Sequence, residues 1–264
     1  MARRNLAGSR ILITGASSGI GWALALELAR AGAKLLLCAR RAERLEALAS
    51  EIRDLGGQAE IAVGDVTNAD LRRAALAVAQ DRFGGLDILV NNAGISAHGP
   101  FDQAGPERLR KIMEVNFFAL AEMTREALPL LRQGRQPLVV NVGSILGHRG
   151  IPFQSEYCAS KFAVRGLSES LRAELTKYGI DLLVVSPGTT DTEFFDHLLE
   201  KQGEMPWPEQ PGVPASFVAQ RTVRAMRLGR HEIVPNFRGR LLVYLNRFAP
   251  WLVDRWMEKY GRQA

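Results

Sequence analysis

Ser144, Tyr157 and Lys161 are the side chains of this sequence whose types and spacing could move a proton. Lys161 follows Tyr157 by four positions, so on a helix the phenol and the ammonium share one face. A free tyrosine is a poor base at neutral pH because its pKa is about 10. An ammonium fixed beside it favours the phenolate and brings the phenol toward the range of a working acid or base. Ser144 could hydrogen-bond the oxygen that receives or gives up the proton, and so orient it. Taken alone, a Tyr-x-x-x-Lys pair also describes an ordinary surface helix, so it carries weight only beside other signals.

One such signal is a glycine loop, Thr14-Gly15-Ala16-Ser17-Ser18-Gly19-Ile20-Gly21, which ends an apolar run and opens a helical pattern. Gly15 permits a tight turn, Gly19 lets backbone amides approach a pyrophosphate, and Gly21 allows close helix–sheet packing; the helix start adds the positive end of a dipole. Ser17, Ser18 and Ile20 belong to the same candidate dinucleotide site. The G-x-x-x-G-x-G spacing is not a P-loop, and a plain tight connection is the alternative. The tip of the next strand, Cys38-Ala39-Arg40-Arg41, selects between cofactors. An acid there bonds a ribose 2′-hydroxyl, whereas a base suits a 2′-phosphate. With no acid at this tip, NADP(H) is favoured over NAD(H). Arg40 is the expected phosphate ligand, with Arg41 and Ser17 as helpers; a solvated first-turn position is the other reading of Arg41. Two more turns line the same crevice. In Gly64-Asp65-Val66 the carboxylate of Asp65 could bond adenine, and Asn91-Asn92-Ala93-Gly94 suits a cofactor ribose, a structural turn, or both.

Holding these groups takes a regular alternation of elements. Apolar strands are predicted over 10–14, 34–38, 60–63, 86–90, 138–142 and 181–185, with a short seventh over 233–235. Helical patterns cover 19–31, 42–55, 70–82, 106–132 and 156–178. Nearly continuous apolar strands imply burial on both faces, as in a parallel sheet covered by helices. Repeated strand–helix units of this length give a doubly wound α/β sheet. A length of 264 residues with 47% hydrophobic composition fits one large domain and excludes wholesale disorder. Cys38 and Cys158 stand far apart without metal-ligand spacing, so neither a disulfide scaffold nor a metal site is expected. No stretch approaches the roughly 18 apolar residues of a membrane span. The basic start leads straight into a strand with no cleavable apolar region, so the cytoplasm is the expected location. From 186 to 215 the texture changes to five prolines, two Phe and one Trp, as expected of a loop over a substrate.

In this order, the glycine loop, Asn91 to Gly94, Asn116, Ser144, Tyr157-Cys158-Ala159-Ser160-Lys161 and Pro187-Gly188 resemble the short-chain dehydrogenase/reductase family, over about residues 8 to 192. The resemblance implies a Rossmann-type sheet of about seven strands, a C-terminal substrate lid and a helical tail. It implies a catalytic centre of Ser144, Tyr157 and Lys161, with Asn116 kinking the long helix and holding a water that links Lys161 to solvent. Lys161 would also bond the nicotinamide ribose beside Tyr157, while Pro187, Gly188 and Thr192 match the segment beside the nicotinamide amide and diphosphate. Gly143 stands where a second serine is frequent, and Cys158 falls on a variable position. The implied activity is NADP(H)-dependent hydride transfer that interconverts a hydrophobic ketone or aldehyde and its alcohol. Homodimers or homotetramers are expected, paired through helices 106–132 and 156–178. Candidate substrate contacts are His98, Phe153 and Phe194, in an apolar set with Phe101, Leu146, Phe195 and Trp207. Steroid, fatty, sphingoid and aromatic carbonyls all stay open. His148 is a further candidate, with a solvent-facing loop position as its alternative. The alternative functions are a non-catalytic NADP(H) sensor or scaffold and a peripheral membrane lipid-carbonyl reductase.

The formal charge of +6 has an address. Residues 1–214 hold 24 basic and 25 acidic side chains, whereas residues 215–264 hold 10 and 3. The excess therefore lies outside the motifs, in a segment where Arg alternates with large apolar residues and Pro250 should divide two short helices. Such a tail suits peripheral membrane attachment, packing on the lid, or a neighbouring subunit. A nucleic-acid partner is not expected, because the glycine crevice accounts for the motifs better.

Overall fold

The computed structural model describes residues 3–203 and 211–261. In chain order its elements are β1 Arg10–Thr14, α1 Gly19–Arg30, β2 Lys34–Ala39, α2 Ala42–Asp54, β3 Gln58–Val63, α3 Ala69–Phe83 and β4 Ile88–Asn91. Then come α4 Pro106–Met113, α5 Ala119–Leu131, β5 Leu138–Val142, α6 Ser155–Leu175, β6 Asp181–Val185, β7 Thr190–Asp191 and β8 Val213–Pro214. The chain closes with α7 Ala215–Leu228, β9 Glu232–Ile233, α8 Phe237–Phe248 and α9 Pro250–Gly261. Seven strands form a parallel sheet in the order β3-β2-β1-β4-β5-β6-β9.

Successive residues of a strand point to opposite faces, so each strand feeds two cores. Ile11 and Ile13 of β1 enter a cluster with Leu24 and Leu28 of α1, Leu45 of α2 and Val218 of α7. Leu12 faces the other side, with Leu89 of β4, Met123 of α5 and Leu182 of β6. Each such Leu or Ile contributes roughly 1.5–3 kcal/mol by leaving water, which is why the central positions of these strands are apolar on both faces.

The differences from periodicity have local causes. The helix expected over 106–132 is divided into α4 and α5 by a π turn, Glu114–Phe118, in which Asn116 is buried. Such turns widen the backbone where a side chain must be aimed sideways. The pattern over 156–178 ends at Leu175, followed by a 3-10 turn that closes on Gly179 at φ +66°, a conformation glycine favours. The last ladder holds Glu232–Ile233 and stops short of Pro235, which has no N–H to donate. Within the expected loop, β7 and β8 pair as a two-residue ladder. Periodicity did not single out α7, which packs against α1. No described helix is long and apolar enough to cross a membrane.

Candidate active site

The crevice lies at the carboxyl ends of β1 and β4, where the strand order reverses. Its glycine loop is clamped from β4. Thr14 Oγ1 accepts from the backbone N–H groups of Asn92 (3.0 Å) and Ala93 (3.1 Å), and Asn92 Nδ2 donates to the carbonyls of Thr14 and Gly15, both at 3.0 Å. Gly15 has φ +66°, and a Cβ there would meet Ala93 Cα at 2.8 Å. Gly21, expected to serve helix–sheet packing, keeps room for this clamp instead: a Cβ would fall 2.3 Å from the Gly15 carbonyl oxygen and 2.6 Å from Asn92 Nδ2. Ser18 precedes α1 as its N-cap in extended conformation, leaving the first amides of the helix directed at the crevice.

At the tip of β2 the arginines meet different partners. Arg41, the residue before α2, turns back onto the loop, with Nε donating to Ser17 Oγ and Nη2 to the Ser17 carbonyl, each at 3.2 Å. Arg44, which sequence reasoning missed, reaches the same carbonyl at 3.4 Å. Both guanidiniums also meet Glu193, at 3.1 and 2.6 Å. Arg40, expected to lead, lines the same cleft with a side chain 70% exposed and faces Asp65 at 4.0 Å. Arg41 is therefore no merely solvated position. Asp65 accepts from the Thr67 N–H (3.0 Å) and hydroxyl (2.9 Å), a local turn that leaves it on the crevice wall with Val66.

The proton-transfer set stands at the other end. Ser144 caps a 3-10 turn, Ile145–Gly147, its Oγ accepting from the Leu146 N–H at 3.1 Å. The Tyr157 phenol is hydrogen-bonded with Ser144; burial pushes it above its ordinary value, and the serine offsets part of that rise. Lys161, one turn further along α6, is buried and donates from Nζ to the Val142 carbonyl at 3.0 Å. Its Nζ is 5.6 Å from the Tyr157 ring centroid, and burial pulls its pKa down to about 8. Asn116 joins this cluster from the π turn: Oδ1 accepts from the Ile95 N–H (2.8 Å), and Nδ2 donates to the Ile95 carbonyl and Ser160 Oγ, both at 2.9 Å. Ser160 in turn donates to the Tyr157 carbonyl at 2.7 Å. Gly94 passes alongside, where a Cβ would stand 3.3 Å from Asn116 Oδ1 and 3.6 Å from Lys161 Nζ.

Pro187 holds the Ser144 turn through its carbonyl, which accepts from the Ile145 N–H at 2.9 Å. The Gly188 N–H donates to Asn236 Oδ1 at 3.2 Å, a contact no motif announced. Thr192 sits over the glycine loop, so that a Cβ on Gly19 would meet its Cγ2 at 3.1 Å. Phe194 packs 5.9 Å from the Tyr157 ring, and Phe195, Leu146 and His98 join it on the wall. Phe153, expected as a substrate contact, lies behind that wall: its ring meets His98 at 5.8 Å, on a backbone at φ +62°. Phe101 is exposed away from the cleft, and Trp207 lies outside the described residues. His148 is neither a substrate contact nor solvent-facing; it is buried, with Nε2 3.1 Å from both Ser186 Oγ and Glu232 Oε1 and Nδ1 on Arg165. A loop histidine gains this burial because β6, α6 and β9 converge on it.

The cleft has a volume of ≈ 1590 Å³ and runs from Arg40 and Arg41 past the glycine loop to Tyr157. Helix-start amides, guanidiniums and a buried phenol–ammonium pair are the donor set a nicotinamide dinucleotide requires, so the residues fit that group.

Comparison with known proteins agrees. A profile of the short chain dehydrogenase family matches residues 9–203. The dehydrogenase/reductase SDR family member 7B of Bos taurus is 34% identical over 264 residues, covering 96% of this chain and 81% of its own. A short chain dehydrogenase/reductase from Burkholderia phymatum, solved in complex with NAD, aligns with a TM-score of 0.85 at 25% identity, covering 94% of this chain and 96% of its own. A short chain dehydrogenase from Burkholderia cenocepacia J2315, solved in complex with NADP, aligns with a TM-score of 0.78 at 31% identity, covering 88% and 98%. This chain belongs to the short-chain dehydrogenase/reductase family. It is an oxidoreductase that works with a nicotinamide cofactor.

Proposed function

We propose that this oxidoreductase uses NADP(H) to interconvert a hydrophobic ketone or aldehyde and its alcohol, with Tyr157 as general acid/base. The observation that carries the reading is one cleft with Ser144, Tyr157 and Lys161 at one end and Arg41 on Ser17 at the other. When bound, the dinucleotide supplies or accepts the hydride. Tyr157 stays a neutral phenol at pH 7 because burial disfavours its anion, and so can give its proton to an alkoxide forming beside it. Ser144 hydrogen-bonds the same phenol and faces the same oxygen. Lys161, fixed on the Val142 carbonyl, places a cation within one helical turn and favours recovery of the phenolate in the reverse direction. Asn116 holds the backbone of Ile95 and, through Ser160, the carbonyl of Tyr157, so its role is to position both.

Arg41 and Arg44 would take the 2′-phosphate, since paired guanidiniums match its oxygens. The apolar wall of Phe194, Phe195 and Leu146 supports a hydrophobic substrate. Exposed Phe118 in the π turn and Phe162 on α6 support pairing between copies of the chain. A sensor or scaffold needs none of the proton-transfer geometry. The test is oxidation of NADPH with a panel of apolar ketones, followed at the cofactor's absorbance, in wild type and Arg41→Asp. Arg41→Asp should weaken NADPH binding at least about tenfold more than NADH binding, from loss of a charge-assisted pair. Equal losses would remove the 2′-phosphate assignment, and NADPH binding without turnover of any ketone would favour the sensor.

A further inference from the structure

Arg41 and Arg44 already hold an anion of this chain. Glu193 meets both guanidiniums, and Arg41 and Arg44 hold its carboxyl below the usual range. His197 lies at 3.9 Å on the same carboxylate. Glu193 opens a three-residue 3-10 turn, Glu193–Phe195, whose N-cap Thr192 rests on Gly19. The next residue, Phe194, lies against Tyr157. One short turn therefore touches the adenosine end of the cleft with a carboxylate and the proton-transfer end with a ring.

We propose that Glu193 is an internal anion that competes with the cofactor's 2′-phosphate for Arg41 and Arg44, so that binding of a 2′-phosphorylated dinucleotide releases the turn carrying Phe194 over Tyr157. The proposal rests on the NADP(H) reading above. A carboxylate offers one negative charge and two oxygens, whereas a phosphate monoester offers nearly two charges and three. Both anions cannot occupy the guanidiniums at once without like-charge repulsion, so the stronger displaces the weaker. The exchange is easy because these side chains are 39–46% exposed, where ion pairs are weak. The Ser17 carbonyl accepts from both arginines and keeps them in place when Glu193 leaves. Glu193 thus lowers the apparent affinity for the phosphate and couples cofactor choice to access at the phenol.

The test uses fragments, so it does not depend on turnover. Adenosine 2′,5′-bisphosphate and adenosine 5′-monophosphate are titrated by calorimetry into the full chain, wild type and Glu193→Gln. The variant should bind the bisphosphate about five- to tenfold tighter and the monophosphate within about twofold of wild type. In wild type, amide hydrogen exchange over residues 192–199 should rise on adding the bisphosphate but not the monophosphate; in Glu193→Gln it should be raised beforehand. Unchanged or weaker bisphosphate binding by the variant, with wild type still preferring the bisphosphate, overturns the competition and leaves the NADP(H) reading standing. No preference for the bisphosphate in either protein removes both.

Discussion

The sheet-borne body and the α8–α9 arm solve opposite problems. In the body, buried polar side chains are tied to one another. Asn91 of β4 donates to Thr124 and Asn141, and Asn141 donates to Ser168, all at 2.9 Å beneath the site. Arg108 of α4 and Glu156, the neighbour of Tyr157, form a buried pair at 2.8 Å. In the arm, large apolar side chains face outward. Phe237, Leu241, Tyr244, Leu245 and Phe248 recur at helical spacing along one face of α8, and Trp251, Leu252 and Trp256 continue it on α9. Gly239 and Val253 are the buried residues of these two helices. A few polar ties hold the arm down, from Asn246 Nδ2 to the His148 carbonyl (2.9 Å) and from Arg149 to Asp254 (2.6 Å). Leu241, Leu245 and Trp256 also reach the outer end of the cleft. Fixed geometry around Tyr157 rests on such internal ties, whereas an exposed apolar face with a basic excess is free to meet something else. This face is what the peripheral membrane attachment expected from the sequence would use.

Four measurements would break or sharpen that contrast. The largest effect belongs to the body: Tyr157→Phe should lower turnover about 10²- to 10⁴-fold while NADPH binding stays within about twofold, and near-normal turnover would take Tyr157 out of the mechanism. Next, Arg108→Ala strands the buried Glu156 carboxylate and should cost about 3–5 kcal/mol in denaturant unfolding. A loss below about 1 kcal/mol would mean the pair is not the tie between α4 and α6 that its burial indicates.

Lys161 gives a pH signature. Its pKa falls from 10.5 to about 8 on folding, so between those values the unfolded chain binds more protons. Stability of wild type relative to Lys161→Met should therefore rise with pH across that window, by an amount on the order of 3 kcal/mol. A flat difference would place the ammonium in a wetter setting. The smallest effect belongs to the arm. Phe248→Ser with Trp251→Ser should reduce co-sedimentation with anionic vesicles about tenfold, and leave melting and the turnover of a water-soluble ketone unchanged. A fall in melting temperature instead would show that the face packs within the protein or against another copy.

Much of this was legible beforehand, because the signals are local. The strands at 138–142 and 181–185 coincide with β5 and β6, since a strand buried on both faces is apolar at nearly every position. The i, i+4 relation of Tyr157 and Lys161 is a property of α6 alone. Arg44 was within reach, three residues after Arg41 on one helical face. Asn236 under Gly188, Glu156 against Arg108 and Phe153 behind His98 were not, because each contact joins segments far apart in the chain.

Local signals in the sequence thus located the strands of the sheet, the glycine turn and the shared face of Tyr157 and Lys161, because period, positive φ and helical spacing act within a few residues; the π turn at Asn116 and helix α7 were not among them. Tertiary structure decided the address of each charge. Arg40 and Arg41 are adjacent and identical in type, yet Arg41 lies on Ser17 and Glu193 while Arg40 faces Asp65. Glu193 comes 152 positions after Arg41, and it is the turn folding back over the glycine loop that gives the two a common place. A side chain's type states what it can bind, but only the packing of distant elements settles what stands within 3 Å of it.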